Sequence, residues 1–304
     1  MKILLAGATG AIGRPLIAQL ISAGEDVVGI ARSTGTANIL KEAGADSIQA
    51  DALDAASILN AVKHLRPDAI INQLTSLPKH YTSDEMRAAA DRDRTVRTQG
   101  NANLLAAAET VGVRRYLLQS SAFFYAPGPG LATEDDPLAV DASPGVAASA
   151  RTYTALEASL SERPAIEATA LRYGFFYGPG TWFSREGDMG SQARNGSLAI
   201  IGNGAGLYNF VHIDDAAAAT VAALHAAPGI YNVTGDQPYE QRVWLPAFAR
   251  YVGAPLPPQL SEEEANTVAG SDAIFYATRL RGASNAKARR DLQFAPRPLE
   301  WLSS

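Results

Sequence analysis

The chain has no cysteine and only four histidines among its 304 residues. The absence of cysteine excludes disulfide bonds, zinc sites built on thiolates and a cysteine nucleophile, and it fits a reducing compartment. The histidines are scattered without the short spacing that a shared metal ion needs; they are His64, His80, His212 and His225. We therefore predict that the protein holds no metal.

Long apolar runs and clusters of basic residues are also missing. No stretch reaches the length needed to cross a membrane, and the first apolar run is too short and too rich in glycine for a signal peptide. The net charge is −5, and without a basic patch it argues against nucleic acid or an anionic membrane as a partner. The sequence predicts a cytoplasmic protein that acts on a small molecule.

A glycine-rich segment at the N-terminus carries the most information. An apolar strand over residues 2–6 is followed by three glycines at three-residue spacing, and then by apolar residues at helical spacing. In a strand–turn–helix unit, such glycines let backbone N–H groups and the helix dipole contact a diphosphate. We predict a dinucleotide-binding loop formed by Gly7, Thr9, Gly10, Ala11, Ile12 and Gly13.

Short apolar strands and helical segments alternate five times before residue 122. This pattern predicts an α/β fold of the Rossmann type, with a doubly wound parallel sheet. We expect residues 1–173 to form the dinucleotide-binding domain, which residues 208–227 rejoin, and residues 174–304 to form a smaller α/β substrate-binding lobe. Residues 76–93 are expected to form a loop or short helix, and residues 94–110 and 146–163 longer helices.

The end of the second predicted strand indicates which dinucleotide is bound. Enzymes that select NAD usually carry an acidic residue there for the ribose 2′-hydroxyl, whereas this chain has Ala31 followed by Arg32. An arginine suits a 2′-phosphate, so we predict NADP(H), with NAD(H) and a solvated Arg32 as the alternative. Other residues expected to line the cofactor crevice are Ser33, Asp51, Ala52, Gln73, Leu74, Thr75, Ser120, Tyr153, Tyr173, Phe175 and Phe176.

Four longer motifs resemble those of one enzyme family. They are G-A-T-G-A-I-G from Gly7, Q-S-S-A-F-F-Y-A-P from Gln119, L-R-Y-G-F-F-Y-G-P-G from Leu171 and G-N-G-A-G-L-Y-N-F-V-H-I-D-D from Gly202. Over nearly its whole length the chain resembles the extended short-chain dehydrogenases/reductases, also described as the NAD-dependent epimerase/dehydratase family. The resemblance implies a substrate held between two lobes, and a homodimer formed through the 94–110 and 146–163 helices.

The resemblance also suggests the catalytic residues. Ser121 and Tyr153 fall on the family's serine and tyrosine, but Glu157 stands where the family has a lysine. Residues four apart share a helix face, and a nearby carboxylate disfavours the phenolate. We therefore expect Tyr153 to act as a neutral hydrogen-bond donor, which suits reduction. The alternative is that Tyr153 is only a half-buried aromatic and Glu157 only a surface acid.

The expected substrate is compact and partly apolar, and is not a nucleotide sugar. Family members that bind nucleotide sugars carry an arginine where this chain has Tyr208, and Arg97 replaces a family asparagine. The side chains expected to contact the substrate are Phe123, Phe124, Trp182 and Tyr208, although the core between the lobes is an equally common place for aromatic residues.

Three functions are compatible with this pattern. The first is an atypical NADP(H)-dependent oxidoreductase that acts on a small carbonyl or hydroxyl compound. The second is a redox-neutral epimerase, isomerase or lyase that retains its cofactor and uses Glu157 as a base. The third is a catalytically silent regulatory protein that binds NADP(H).

Overall fold

The computed structural model describes residues 1–302. Its strands, in chain order, are β1 (Lys2–Ala6), β2 (Asp26–Ala31), β3 (Asp46–Gln49), β4 (Ala69–Asn72), β5 (Arg115–Ser121), β6 (Glu167–Tyr173), β7 (Phe175–Tyr177), β8 (Ile200–Ile201), β9 (Leu207–Tyr208), β10 (Phe210–His212), β11 (Gly229–Val233), β12 (Tyr239–Glu240) and β13 (Gln259–Leu260). The helices are α1 (Gly13–Ser22), α2 (Thr34–Glu42), α3 (Ala55–Leu65), α4 (Ser83–Val111), α5 (Pro144–Ser161), α6 (Asp188–Arg194), α7 (Ile213–Ala223), α8 (Gln241–Tyr251), α9 (Glu262–Val268), α10 (Gly270–Thr278) and α11 (Ala286–Asp291).

Seven strands form the main sheet, in the order β11-β6-β5-β4-β1-β2-β3. Every neighbouring pair is parallel. The strand order reverses between β1 and β4, and the crevice at the carboxyl ends of these strands is where α/β sheets of this kind bind ligands. The predicted Rossmann-type fold is therefore confirmed.

Helices cover both faces of the sheet and bury its apolar strands. One core is built from α1, α2 and α7 and includes Leu16, Leu40 and Ala216. The other is built mainly from α3, α4 and α5 and includes Leu104 and Leu156. Burial on both faces explains why the strands are short continuous apolar runs rather than alternating ones.

The helix α4 is much longer than the sequence pattern suggested. It begins at Ser83, although we expected a loop or short helix over residues 76–93. The Thr82 hydroxyl accepts a hydrogen bond from the Glu85 N–H at 3.3 Å, and Asp84 and Glu85 suit the positive end of the helix dipole. The first turns are largely exposed and therefore lack apolar periodicity.

Residues 208–227 return to the dinucleotide-binding domain through their helix and not through their strand, because α7 packs on the main sheet beside α1. The strand β10 pairs only with β7, in a separate two-stranded sheet. The strand that joins the main sheet is β11, which pairs with β6 and buries Tyr231 and Val233. Residues 229–233, assigned from sequence to the smaller lobe, thus belong to the main sheet. No helix within residues 1–302 is both long and apolar enough to span a membrane.

Candidate active site

Two of the three glycines after β1 are required by the protein itself. Gly7 has a φ of +80°, and a Cβ there would lie 2.3 Å from the carbonyl oxygen of Gln73. A Cβ on Gly13 would lie 2.2 Å from the carbonyl oxygen of Ala8. Both distances are far inside van der Waals contact, so a side chain at either position would displace backbone atoms.

Gly10 is less constrained by the protein. The nearest atom to a Cβ on Gly10 is the Gly7 carbonyl oxygen at 3.2 Å, and the residue is exposed. A side chain there would need a shift of a few tenths of an ångström, a much smaller displacement than at Gly7 or Gly13. No side chain caps the helix α1 that follows. The Gly13 N–H donates to the Gly10 carbonyl at 3.1 Å and Pro15 has no N–H, so the attraction for an anion at this end comes mainly from the helix dipole and the Arg14 N–H.

The ends of β2 and β3 carry the next predicted residues. Arg32 is exposed and makes no hydrogen bond or ion pair with residues 1–302, while Ser33 caps α2 by accepting a hydrogen bond from the Thr36 N–H at 3.2 Å. Asp51 Oδ1 accepts a hydrogen bond from the Leu53 N–H at 3.0 Å. The Ala52 carbonyl accepts one from the Asn103 side chain at 2.8 Å, so Asp51 and Ala52 shape this turn.

Gln73 and Leu74 continue the crevice at the end of β4. Gln73 Nε2 donates to the Tyr173 hydroxyl at 3.1 Å, and the Leu74 N–H donates to the Asn72 side chain at 3.1 Å. Gln73 Oε1 is buried without a hydrogen-bond partner among the described residues. A buried acceptor without a partner is uncommon, and a ligand donor at this edge of the sheet would satisfy it. Thr75 follows directly.

Two residues expected to line the cofactor crevice use their side chains elsewhere. The Ser120 hydroxyl donates to Glu157 Oε1 at 2.5 Å. The Tyr173 hydroxyl shares a 2.6 Å hydrogen bond with Thr220, in addition to that from Gln73. Both hydroxyls therefore have partners within the protein, and the assignment of these two residues to the cofactor crevice remains a prediction.

Glu157 does not fit either role suggested by the sequence, a free catalytic base or a surface acid. Its side chain is 7% exposed and pairs with Arg172, whose side chain is 5% exposed. Arg172 Nη2 lies 2.6 Å from Oε2, and Arg172 Nε lies 2.8 Å from Oε1. Burial alone would lower the pKa of Arg172, but its hydrogen bonds to Glu157 raise it above the ordinary value. Both carboxylate oxygens are occupied, so Glu157 is a structural residue.

Arg172 was not identified from the sequence, although it is the centre of this buried network. Its Nη1 donates to the Tyr125 hydroxyl at 2.7 Å and to the Glu134 carbonyl at 3.2 Å. The Tyr125 hydroxyl in turn donates to Asn232 Oδ1 at 2.7 Å. The network joins α5 to β6 and β11. An arginine within the apolar L-R-Y run of a buried strand was the available signal.

Tyr153 lies one helical turn before Glu157, in different surroundings. It is 8% exposed, its ring stacks on Phe124 at 5.4 Å, and the Arg97 guanidinium lies 5.2 Å from its centroid. Burial raises the pKa of Tyr153; the charge of Arg97 opposes this rise, and those of Asp93 and Glu157 add to it. The phenol is therefore neutral at physiological pH. Ser121, three residues before Phe124, is also buried. Its Oγ accepts a hydrogen bond from the Phe123 N–H at 3.4 Å.

Aromatic rings from both lobes meet beyond the end of β5. Phe123 stacks on Phe175 at 4.1 Å, and Phe175 stacks on Tyr208 at 5.0 Å. Tyr276 has its ring 6.4 Å from Phe124 and 6.3 Å from Phe175. Phe175, expected beside the cofactor, is thus central to this group, whereas Phe176 packs on Tyr173 at 5.2 Å.

Trp182 is the fourth residue that we predicted to contact the substrate, and it joins this group of rings through Tyr81. Their rings stack at 4.7 Å, and Tyr81 also lies 6.3 Å from Phe183. We define the aromatic site as Tyr81, Phe123, Phe124, Tyr153, Phe175, Trp182, Tyr208 and Tyr276. Tyr81 and Tyr276 were not identified from the sequence. Tyr81 lies in a polar segment, and Tyr276 lies in α10, in the C-terminal part of the chain.

Comparison with known proteins identifies the family. Residues 3–234 match the model of the NAD dependent epimerase/dehydratase family. The chain belongs to this family. It is 39% identical over 304 residues to a Streptomyces 3-diazoavenalumate denitrifying reductase, with 99% of this chain and 98% of that protein covered. It is 28% identical over 271 residues to the 2-alkyl-3-oxoalkanoate reductase of Stenotrophomonas maltophilia, covering 84% of this chain and 77% of that protein.

Solved structures of nucleotide-sugar enzymes share the fold of this epimerase/dehydratase family member. The UDP-glucose 4-epimerase of Thermotoga maritima superposes with a TM-score of 0.78 at 17% identity, covering 99% of this chain and 95% of that one. The UDP-glucose 4-epimerase of Thermus thermophilus, solved with NAD, gives 0.76 at 21% identity, with 99% and 96% covered. The predicted class, an oxidoreductase of the short-chain dehydrogenase/reductase superfamily that binds NAD(P), is confirmed by these matches.

Proposed function

We propose that this family member is an NADP(H)-dependent reductase of a compact, partly apolar carbonyl compound, and that it does not act on nucleotide sugars. The observation that carries the proposal is the Tyr153 phenol, which is buried, protonated and without a hydrogen-bond partner among the described residues. Two relatives that are named reductases support the same reaction class.

The loop after β1 fits a dinucleotide. Gly10 is exposed, and a side chain there would meet the protein less closely than at Gly7 or Gly13. No side chain caps the start of α1, and Gln73 Oε1 has no hydrogen-bond donor among the described residues. These residues would hold the pyrophosphate and the neighbouring part of the dinucleotide. When bound, a reduced nicotinamide supplies the hydride for reduction.

Tyr153 would act on the substrate oxygen. Its raised pKa keeps the hydroxyl proton in place, so the group can donate to a carbonyl oxygen as negative charge develops there. The Arg97 guanidinium, which lies over the ring and limits the rise of this pKa, eases the loss of that proton. Ser121 would be a second donor, and the surrounding rings would exclude water.

Arg32 supports the choice of NADP(H) over NAD(H). Its guanidinium lies at the end of β2 without a partner in residues 1–302, and no acidic residue follows Ala31 to hold a ribose 2′-hydroxyl. A free arginine beside the start of α2 is suited to a 2′-phosphate, which takes up several charge-assisted hydrogen bonds.

The redox-neutral alternative has less support. It required Glu157 as a free base, and both oxygens of that carboxylate are bound by Arg172 and Ser120. The carboxylates near the aromatic site also have partners: Asp272 Oδ1 accepts hydrogen bonds from the Gly145 and Val146 N–H groups, and Asp93 accepts them from Arg97 Nε and the Ser76 N–H.

The test is oxidation of NADPH, followed by its absorbance, with a panel of aldehydes and ketones. Removal of a general acid typically costs about 10²- to 10⁴-fold in rate, so Tyr153→Phe is expected to lower kcat by roughly that factor. Tyr231→Phe is the matched control, because within residues 1–302 the Tyr231 hydroxyl bonds only to the Ala227 carbonyl, at the edge of the main sheet. No NADPH oxidation with any compound, or equal rates for both variants, would contradict the proposal.

A further inference from the structure

Four phenol hydroxyls of the aromatic site have no hydrogen-bond partner within residues 1–302. They belong to Tyr81, Tyr153, Tyr208 and Tyr276. Tyr153 is 8% exposed and Tyr208 is 7% exposed, but none of the four hydroxyl oxygens is both fully enclosed and unpaired within residues 1–302, so they remain open to water or to a ligand. By contrast, other buried phenols of the chain are paired, as Tyr116 is with Asn101 at 2.8 Å and Tyr125 with Asn232 at 2.7 Å.

The rings that carry these hydroxyls share neighbours: Tyr208 and Tyr276 lie 5.0 and 6.3 Å from Phe175, and Tyr153 and Tyr276 lie 5.4 and 6.4 Å from Phe124. Burial raises the pKa of Tyr276 well above its ordinary value, and the nearby phenols add to this rise. Burial likewise raises the pKa of Tyr208, and Tyr81 adds to this rise. The four groups therefore stay protonated and act as hydrogen-bond donors at physiological pH.

The walls around these hydroxyls are flat rings. Phe123 and Phe175 stack with an interplanar angle of 16°, and Tyr208 continues the stack on the other side of Phe175 at 30°. Flat, nearly parallel aromatic surfaces favour a planar ring as their partner, because offset stacking contributes beyond the area that is buried.

Tyr81 is held at the site by contacts with the smaller lobe. Asp188 of α6 accepts a hydrogen bond from the Tyr81 N–H at 2.7 Å and lies 2.8 Å from the His80 ring. Gln192 donates to the Tyr81 carbonyl at 3.0 Å, and Trp182 Nε1 donates to the Lys79 carbonyl at 3.0 Å. These contacts fix the segment that precedes α4 across the aromatic site, so Tyr81 is placed to face a ligand there.

We propose that the four phenols recognise a planar aromatic substrate that carries a carbonyl or carboxylate oxygen. Both faces of Phe175 are covered by Phe123 and Tyr208, so the partly exposed ring of Phe123, at the end of this stack, would contact the flat face of the substrate, and the hydroxyls would donate to its oxygen. A sugar presents many donors of its own and no flat face, so it would leave these groups poorly matched. The inference rests on the proposed function, which it deepens by naming the substrate class.

The test uses two unreactive probes that differ only in planarity of the ring, benzoate and cyclohexanecarboxylate. Their affinities for the purified protein are measured by calorimetry, with and without excess NADP⁺. We expect benzoate to bind at least ~10-fold more tightly. A hydrogen bond to a charged group typically contributes enough for a change of about tenfold in affinity, so Tyr208→Phe and Tyr276→Phe are each expected to weaken benzoate binding by roughly that factor. Tyr231→Phe should leave it unchanged.

Equal affinity for the two probes, or unchanged benzoate binding in both variants, would overturn the inference. Failure of the proposed function is a separate result. If benzoate binding follows the pattern above but NADPH is not oxidised with benzaldehyde or any other carbonyl compound, recognition of an aromatic ligand stands and reduction does not. If cyclohexanecarbaldehyde is reduced as efficiently as benzaldehyde, reduction stands and aromatic selectivity does not.

Discussion

Two buried polar clusters lie one turn apart on the same helix, and they differ in one respect. Around Glu157, both oxygens of the carboxylate have partners, from Arg172 and Ser120. Around Tyr153, the phenols of the aromatic site have no partners among the described residues. A fully paired buried network stabilises a fold, whereas donors that the protein leaves unpaired and not fully enclosed are available to a ligand.

The sequence alone does not reveal this difference, because Tyr153 and Glu157 are four residues apart. Residues four apart share a helix face, which led us to place both side chains at one catalytic site. Four residues of α-helix also rise about 6 Å. Because α5 runs back along the sheet, Tyr153 lies beside Phe124, beyond the end of β5. Glu157, one turn later, lies beside Ser120 and Arg172, within the paired strands.

Removal of Glu157 should give the largest effect on stability. Breaking a buried ion pair leaves an unpaired charge and typically costs about 3–5 kcal/mol, so Glu157→Ala is expected to lower the free energy of unfolding in denaturant by roughly that amount. The control is Glu162→Ala, which removes an exposed acid 3.7 Å from Arg163. Equal losses in the two variants would show that the paired network does not stabilise the fold.

Arg32 resembles the phenols of the aromatic site, because its charged side chain also has no hydrogen-bond or ion-pair partner in residues 1–302. We expect Arg32→Ala to weaken NADPH binding about tenfold, since charge-assisted hydrogen bonds to a 2′-phosphate are lost, and to leave NADH binding nearly unchanged. Calorimetry with both dinucleotides measures this, and Lys41→Ala at the far end of α2 is the control. A variant that loses affinity for both dinucleotides equally would refute the assignment of Arg32 to the 2′-phosphate.

The pH profile should show the smallest change. A donor with a raised pKa is present below that pKa and is lost as pH rises through it, and burial raises the pKa of Tyr153 above its ordinary value of 10.0. The rate of reduction at saturating substrate is therefore expected to be level from about pH 6 to 9 and to fall only at higher pH. A loss of rate between about pH 7 and 9 that is absent from Tyr153→Phe would mean that this phenol ionises near neutrality.

The sequence was most informative where function and local structure use the same residues. The glycine loop was predictable because Gly7 and Gly13 leave no room for a side chain, and the parallel sheet because its strands are apolar and short. The polar beginning of α4 and the position of β11 were not predictable, since they depend on exposure and on pairing with β6. Likewise, Tyr81 and Tyr276 come together only in the folded chain, from segments far apart in the sequence.

The most direct test of dinucleotide binding at the β1–α1 loop is calorimetry of NADPH and NADH with the wild-type protein and Gly10→Ala. A methyl group at Gly10 requires only a small adjustment within the protein, because its nearest neighbour lies at 3.2 Å, but it would occupy the surface offered to the pyrophosphate. We predict binding by the wild-type protein, a loss of at least ~10-fold in Gly10→Ala, and little change in Gly35→Ala, whose Cβ would have no atom closer than 3.8 Å. Thermal unfolding midpoints of the ligand-free proteins should be nearly equal. Wild-type protein that binds neither dinucleotide, or Gly10→Ala that binds as tightly as the wild type, would contradict the account.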